Sequence, residues 1–179
     1  GEMMSKKIVF MGTPDYATVI FQELLESHYE VVALFTQPDK KVGRKQILTY
    51  PHIKQFCVDN GLSLPIYQPI TLKDEKIINS IKSLNPDFII VAAYGQILPK
   101  QILNIAPCIN LHASLLPKYR GASPIQSAIL NNDKYSGVTA MMMEETLDSG
   151  DILGFDYVKL NINTDVLKLF NQLSNSAAS

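Results

Sequence analysis

Apolar and polar positions alternate along this chain in two rhythms. "KKIVFMG" (6–12), "YEVVALFTQ" (29–37), "PDFIIVAAYG" (86–95) and "CINLH" (108–112) hold short, nearly unbroken apolar runs. Such runs predict strands covered on both faces, as in a parallel sheet. Between them the period lengthens. In "DYATVIFQELLES", Ala17, Ile20, Phe21, Leu24 and Leu25 recur at helical spacing, so a helix follows the first strand directly. A second helix is expected over "PHIKQFCVDNG", closed by Gly61, and a third over "TLKDEKIINSIKSLN", with Thr71 as candidate cap and Asp74 three residues on. "PDKKVGRKQILTY" (38–50) has no period and is expected to be a loop. Near the end, "SGVTAMMMEE" and "DILGFDYVKLNI" are strand-like and joined only by "TLDSG", which predicts an antiparallel addition. "TDVLKLFNQLSNSAAS" begins as a helix. Alternating strands and helices define an open, doubly wound α/β sheet that is mostly parallel and binds ligands at the carboxyl ends of its strands.

A chain of 179 residues with 46% hydrophobic content can bury one proper core. No run reaches the roughly 20 apolar residues of a membrane span, and no basic-then-apolar leader opens the chain. A soluble cytoplasmic protein is expected. Cys57 and Cys108 lie in no CxxC pair and read as buried small hydrophobes, with no metal cluster. The net charge of −1 excludes a surface basic all over but leaves room for a local patch. "KKVGRK" supplies one: Lys40, Lys41, Arg44 and Lys45, either a solvated loop or a grip for phosphates.

The chemistry-bearing residues stand at strand ends. Along a strand alternate residues share a face, so Cys108, Asn110 and His112 point one way and Ile109 and Leu111 the other. An amide and an imidazole aimed together can stabilise a developing oxyanion. A base needs an orienting carboxylate, and "EETLDSGD" offers Glu144, Glu145, Asp148 and Asp151 without choosing among them. Met141 and Met142 read as strand filler. The turn "MGTPDYA", with Gly12, Thr13 and Pro14, presents helix-start amides to an anion, or else carries Asp15 as an ordinary cap. Its glycine spacing is not that of a dinucleotide fingerprint. His28 and His52 have no partner pattern and are expected at the surface; Tyr94 and Gly95 are expected to shape a turn.

"NLHASLLPKYRG", with "LDSGDIL" placing Asp148 after His112, resembles the folate-dependent formyltransferases. "GTPDYA", "FTQPDK", "GRK", "PIYQP", "AAYGQILP" and "GASPIQ" are similar to segments of those members that act on charged initiator tRNA. The resemblance runs from about Lys7 to the end. It implies a Rossmann-like formyltransferase fold and a catalytic domain over 5–179, with the family's C-terminal β-barrel tRNA-binding domain absent from this chain. It also implies transfer of a formyl group from 10-formyltetrahydrofolate to the α-amino group of methionyl-initiator tRNA, without metal. Asn110 and His112 then donate to the oxyanion, while Asp148 orients the imidazole and handles protons. The folate site implied comprises Gln96, Ile97 and Leu98; Ser114, Leu115, Leu116 and Pro117; and Met143, Glu144, Glu145, Thr146 and Leu147. Lys40, Lys41, Arg44 and Lys45, with Gly12, Thr13 and Pro14, face the tRNA, Arg44 matching the family's key arginine. The run "KVGRKQIL" departs from the more Gly- and Lys-rich family pattern. A monomer without membrane or protein partner is expected. The alternatives are a formyltransferase for an amino sugar nucleotide, which needs no long basic insertion, and a non-catalytic nucleotide-binding α/β module, which gains nothing from a polar pair in a strand.

Overall fold

A computed structural model describes residues 5–115, 135–143 and 155–156. Their central feature is a seven-stranded sheet: β1 (Lys7–Gly12), β2 (Glu30–Phe35), β5 (Ile66–Tyr67), β6 (Phe88–Ala92), β7 (Cys108–Leu115), β8 (Tyr135–Met143) and β9 (Phe155–Asp156), in the order β5-β2-β1-β6-β7-β8-β9. The pairings from β5 to β7 are parallel, and β8 and β9 add on antiparallel, as the sequence pattern predicts.

Alternation within the strands sorts their side chains into two cores. Ile8, Phe10, Ile90, Ile109 and Leu111 pack on one face with Tyr16, Ala17, Ile20, Phe21 and Leu24 of α1 (Asp15–Leu25) and Ile53 and Cys57 of α2 (His52–Asp59). Val9, Met11, Ile89, Val91 and Cys108 pack on the other with Ile78 and Ile81 of α3 (Glu75–Leu84) and Ile102 of α4 (Lys100–Leu103). Both cysteines are buried and free. Loss of hydration raises their thiols to about 11 and about 12, so both stay protonated at neutral pH.

Local chemistry sets the helix ends. Gly61 sits at φ +61° after α2 and its N–H donates to the Val58 carbonyl, while the Leu62 N–H reaches Cys57, a Schellman closure. At α3 the expectation of Thr71 as the cap is corrected. Asp74 is the cap, its carboxylate accepting the Lys76 N–H at 2.9 Å, whereas Thr71 accepts from Lys73 in the preceding turn. The loop expected over 38–50 is also corrected: β3 (Lys40–Val42) and β4 (Ile47–Thr49) form an antiparallel hairpin apart from the main sheet. Every residue from 40 to 50 is exposed, so no buried face gave the strands a readable period. Among the described residues no helix is long and apolar enough to cross a membrane. The helix expected over 164–179 lies outside the described residues.

Candidate functional site

The direction of strand ordering reverses between β1 and β6, and there the crevice at the carboxyl ends opens. Gly12 ends β1 with no room for a side chain. A Cβ would stand 2.8 Å from Ala17 Cβ and 2.9 Å from the Ala92 carbonyl, so glycine is what lets β1, α1 and β6 close together. Thr13 crosses the crevice, its hydroxyl donating to the Tyr94 carbonyl at 2.8 Å. Asp15 is not the helix cap: Pro14 holds that position, and the Asp15 carboxylate accepts the neighbouring Tyr16 N–H at 2.9 Å. A carboxylate already occupies the start of α1, which weakens the turn as a receptor for an anion.

β7 carries the polar pair. It follows β6 through Val91↔Asn110 and then runs on, paired with β8 alone. Asn110 lies opposite Met141 and His112 opposite Thr139. Since Ile109 and Leu111 belong to one core and Cys108 to the other, Asn110 and His112 share the Cys108 face where the sheet opens to solvent. Asn110 is half-buried and His112 exposed. Where β6 has ended, the Leu111 carbonyl between them accepts the Tyr16 hydroxyl at 3.0 Å. Tyr16 thereby supplies a partner that the sheet no longer provides, and burial pushes its phenol up to about 12. Nothing local in the sequence marks Tyr16 as site or support, because an aromatic at helical spacing has the pattern of a core residue.

The loop after β6 is shaped by strain and by amide contacts. Ala93 at φ +51° and Gly95 at φ +99° turn the chain. The Gln96 side chain is occupied within the protein: Nε2 donates to Gln37 Oε1 and the Pro69 carbonyl, each at 3.0 Å, and Oε1 accepts the Leu72 N–H at 3.1 Å. Leu98 is packed in the core. Ile97 projects outward, 90% exposed, and is the apolar side chain of this segment open to a ligand. Tyr94 shapes the turn, as expected. Its ring is buried, its hydroxyl has no hydrogen-bond partner among the described residues, and burial raises its pKa. Met143 is partly buried opposite Cys108. Ser114 and Leu115 end β7. Leu116, Pro117, Glu144, Glu145, Thr146, Leu147 and Asp148 lie outside the described residues.

Lys40, Lys41, Arg44 and Lys45 occupy the hairpin and its tip, all exposed. Between that hairpin and the turn after β1 lies an open, mainly apolar groove of about 180 Å³, lined by Thr13, Pro38, Val42, Tyr50 and Pro51 among others. His28 is exposed and stacked on Tyr29. His52, though exposed, does have a partner, its Nδ1 lying 2.9 Å from the Thr18 hydroxyl.

The sheet is thus parallel with an antiparallel edge, and its Asn-x-His pair stands on β7 beside the crevice at the switch point, where open α/β sheets bind their ligands. The chain belongs to the formyl transferase family, whose sequence pattern matches residues 6–178. It is 60% identical over 171 residues to the methionyl-tRNA formyltransferase of a Nitratiruptor species, covering 96% of this chain and 56% of that protein. It is 69% identical over 148 residues to the methionyl-tRNA formyltransferase of Campylobacter lari, covering 83% and 49%. The chain thus spans about half the length of these curated relatives. Among solved structures it resembles the phosphoribosylglycinamide formyltransferase of Streptococcus pneumoniae, with a TM-score of 0.53, 17% identity and coverage of 98% of this chain and 100% of that one. At that identity the likeness concerns the fold.

Proposed function

We propose that this chain is the catalytic part of a methionyl-tRNA formyltransferase, moving a formyl group from 10-formyltetrahydrofolate to the α-amino group of methionyl-initiator tRNA. The observation that carries the reading is the placement of Asn110 and His112 on one face of β7 beside the switch-point crevice, in a chain so similar to named methionyl-tRNA formyltransferases. The amine lone pair attacks the formyl carbon, and the carbonyl oxygen gathers charge. An Asn110 amide N–H and a His112 ring N–H donate to that oxygen. As the tetrahedral intermediate collapses, the carbon–N10 bond breaks and the amine proton passes to N10 through water and Asp148, which also holds the imidazole. Neither a metal nor a covalent enzyme intermediate enters this scheme.

The donor's pterin lies along 96–98, 114–117 and 143–147, with the exposed Ile97 as one apolar contact. The acceptor end approaches past Thr13, with the basic hairpin on its phosphates and the apolar groove suited to an uncharged amino-acid side chain. In this reading the protein works in the cytoplasm as a monomer, and a second, β-barrel domain completes the tRNA grip.

Formyl transfer by the full-length protein, measured with charged initiator tRNA and with an amino sugar nucleotide as rival acceptors, tests the proposal. Transfer to the tRNA alone is expected. Replacing His112 or Asn110 by Ala should lower kcat about 10²–10³-fold, with binding of 5-formyltetrahydrofolate, read as a thermal shift, retained. Near-normal turnover in both variants rules out the oxyanion role, and preference for the sugar nucleotide rules out the acceptor.

A further inference from the structure

Among the described residues, burial does not fix the direction of the β3–β4 hairpin, since every residue from 40 to 50 is exposed. Its strands are three residues each and wholly exposed, and an isolated two-stranded ribbon is marginal in water. Whatever aims its basic tip must therefore act at its two roots. One side chain reaches both. Lys54 on α2 donates to Asp39, the residue just before β3, at 3.0 Å to Oδ1 and 3.1 Å to Oδ2. The same Nζ stands 3.8 Å from the ring centre of Tyr50, the residue just after β4. It also donates to Gln68 Oε1 at 2.9 Å. Gln68 returns its amide to Asp39 Oδ1 at 2.6 Å and to the Gln37 carbonyl at 3.1 Å. Gln37 is in turn the acceptor of Gln96, from the loop after β6. The contacts thus run without a break from the segment assigned to the donor to both ends of the segment assigned to the acceptor.

We infer that Lys54 is a positioning residue for the acceptor, clamping both roots of the β3–β4 hairpin so that Lys40, Lys41, Arg44 and Lys45 meet the nucleic acid in a fixed register with the site. The inference rests on the functional reading above and adds to it a residue that touches neither substrate. A salt bridge that merely joined two core elements would change stability alone. The Lys54 ammonium instead joins the two ends of a single exposed insert, by a salt bridge to Asp39 and by its place over the Tyr50 ring, so its loss should be read in acceptor binding.

The test uses the full-length protein and the variants Lys54→Met, which keeps the length of the side chain without its charge, and Lys54→Arg. With saturating 10-formyltetrahydrofolate, Lys54→Met should raise the acceptor KM for charged initiator tRNA about tenfold while kcat and the donor KM stay within about twofold. Lys54→Arg should recover most of the loss. A methionylated CCA fragment, too short to reach the hairpin, should be formylated equally well by wild type and Lys54→Met. Trypsin should cut after Arg44 or Lys45 faster in Lys54→Met. An unchanged acceptor KM for the tRNA overturns the inference while leaving the functional reading intact. Equal losses with tRNA and fragment also overturn it, since they place the fault at the site itself. A wild type that formylates no charged tRNA overturns the functional reading and the acceptor role with it, and the tryptic rate then still decides whether the clamp exists.

Discussion

The turn that ends β1 and the β3–β4 hairpin border the same groove, yet β1 and the hairpin are held by opposite means. All residues of β1 after Lys7 are buried, with neighbours on both faces and strands on both edges. The hairpin shows Val42, Ile47 and Leu48 to solvent at 49%, 61% and 59% exposure, and it is anchored through polar contacts at its roots. Burial is non-directional and accumulates with area; a charge-assisted contact is directional and local. The frame of the site is therefore fixed by packing, and the arm beside it by geometry at a few atoms.

The widest separation between the two regions should appear in unfolding by denaturant. Phe10→Ala removes a fully buried ring from the core between β1 and α1 and should destabilise by about 3–5 kcal/mol. Leu48→Ala in the hairpin should stay within about 0.5 kcal/mol. A Leu48→Ala cost near that of Phe10→Ala would mean the hairpin packs against a partner, and the contrast would fail.

Sequence legibility divides along the same line. β1, β2, β6 and β7 were readable because residues buried on both faces leave an unbroken apolar run, and helices spaced between them fix the doubly wound order. Alternation alone put Asn110 and His112 on one face of β7. The hairpin was unreadable since water on both sides removes the selection for period. Thr71 and Asp74 both look like caps, and only the reach of the Asp74 carboxylate to the Lys76 N–H decides between them. Most of the clamp left no local trace: Gln37 and Gln96 meet across 59 positions, and no spacing rule joins Asp39, Lys54 and Gln68. The i,i+4 spacing of Tyr50 and Lys54 was the sole local hint.

Two glycines sharpen the comparison at an intermediate size. Gly12→Ala forces a Cβ to 2.8 Å from the Ala17 methyl and the Phe10 ring, and overpacking of this kind costs about 1–3 kcal/mol. Gly43→Ala meets no atom within 4 Å but must hold φ at +76°, a strain of about 1–2 kcal/mol that the exposed turn can relieve by shifting. The thermal midpoint should fall clearly for the first and little for the second. A larger drop for Gly43→Ala would show the hairpin turn to be as rigid as the core.

The smallest effect concerns acid. The Gln68 amide, followed by the Lys54 ammonium, holds the Asp39 carboxyl below its ordinary value of 3.8, against an opposing rise from partial burial. A carboxyl whose folded-state pKa is depressed contributes stability that is fully present above the unfolded value. That contribution is lost as pH falls through the lower folded value. The clamp should accordingly be unchanged across neutral pH and weaken only below about pH 4, whereas the buried apolar contacts of β1 carry no such dependence. Carboxyl-carbon NMR titration should give Asp39 a midpoint under 3.8 in the wild-type chain and a higher one in Gln68→Leu. An Asp39 that titrates identically in both would show that Gln68 does not hold it, and the path from the hairpin root to the loop after β6 would be broken at that residue.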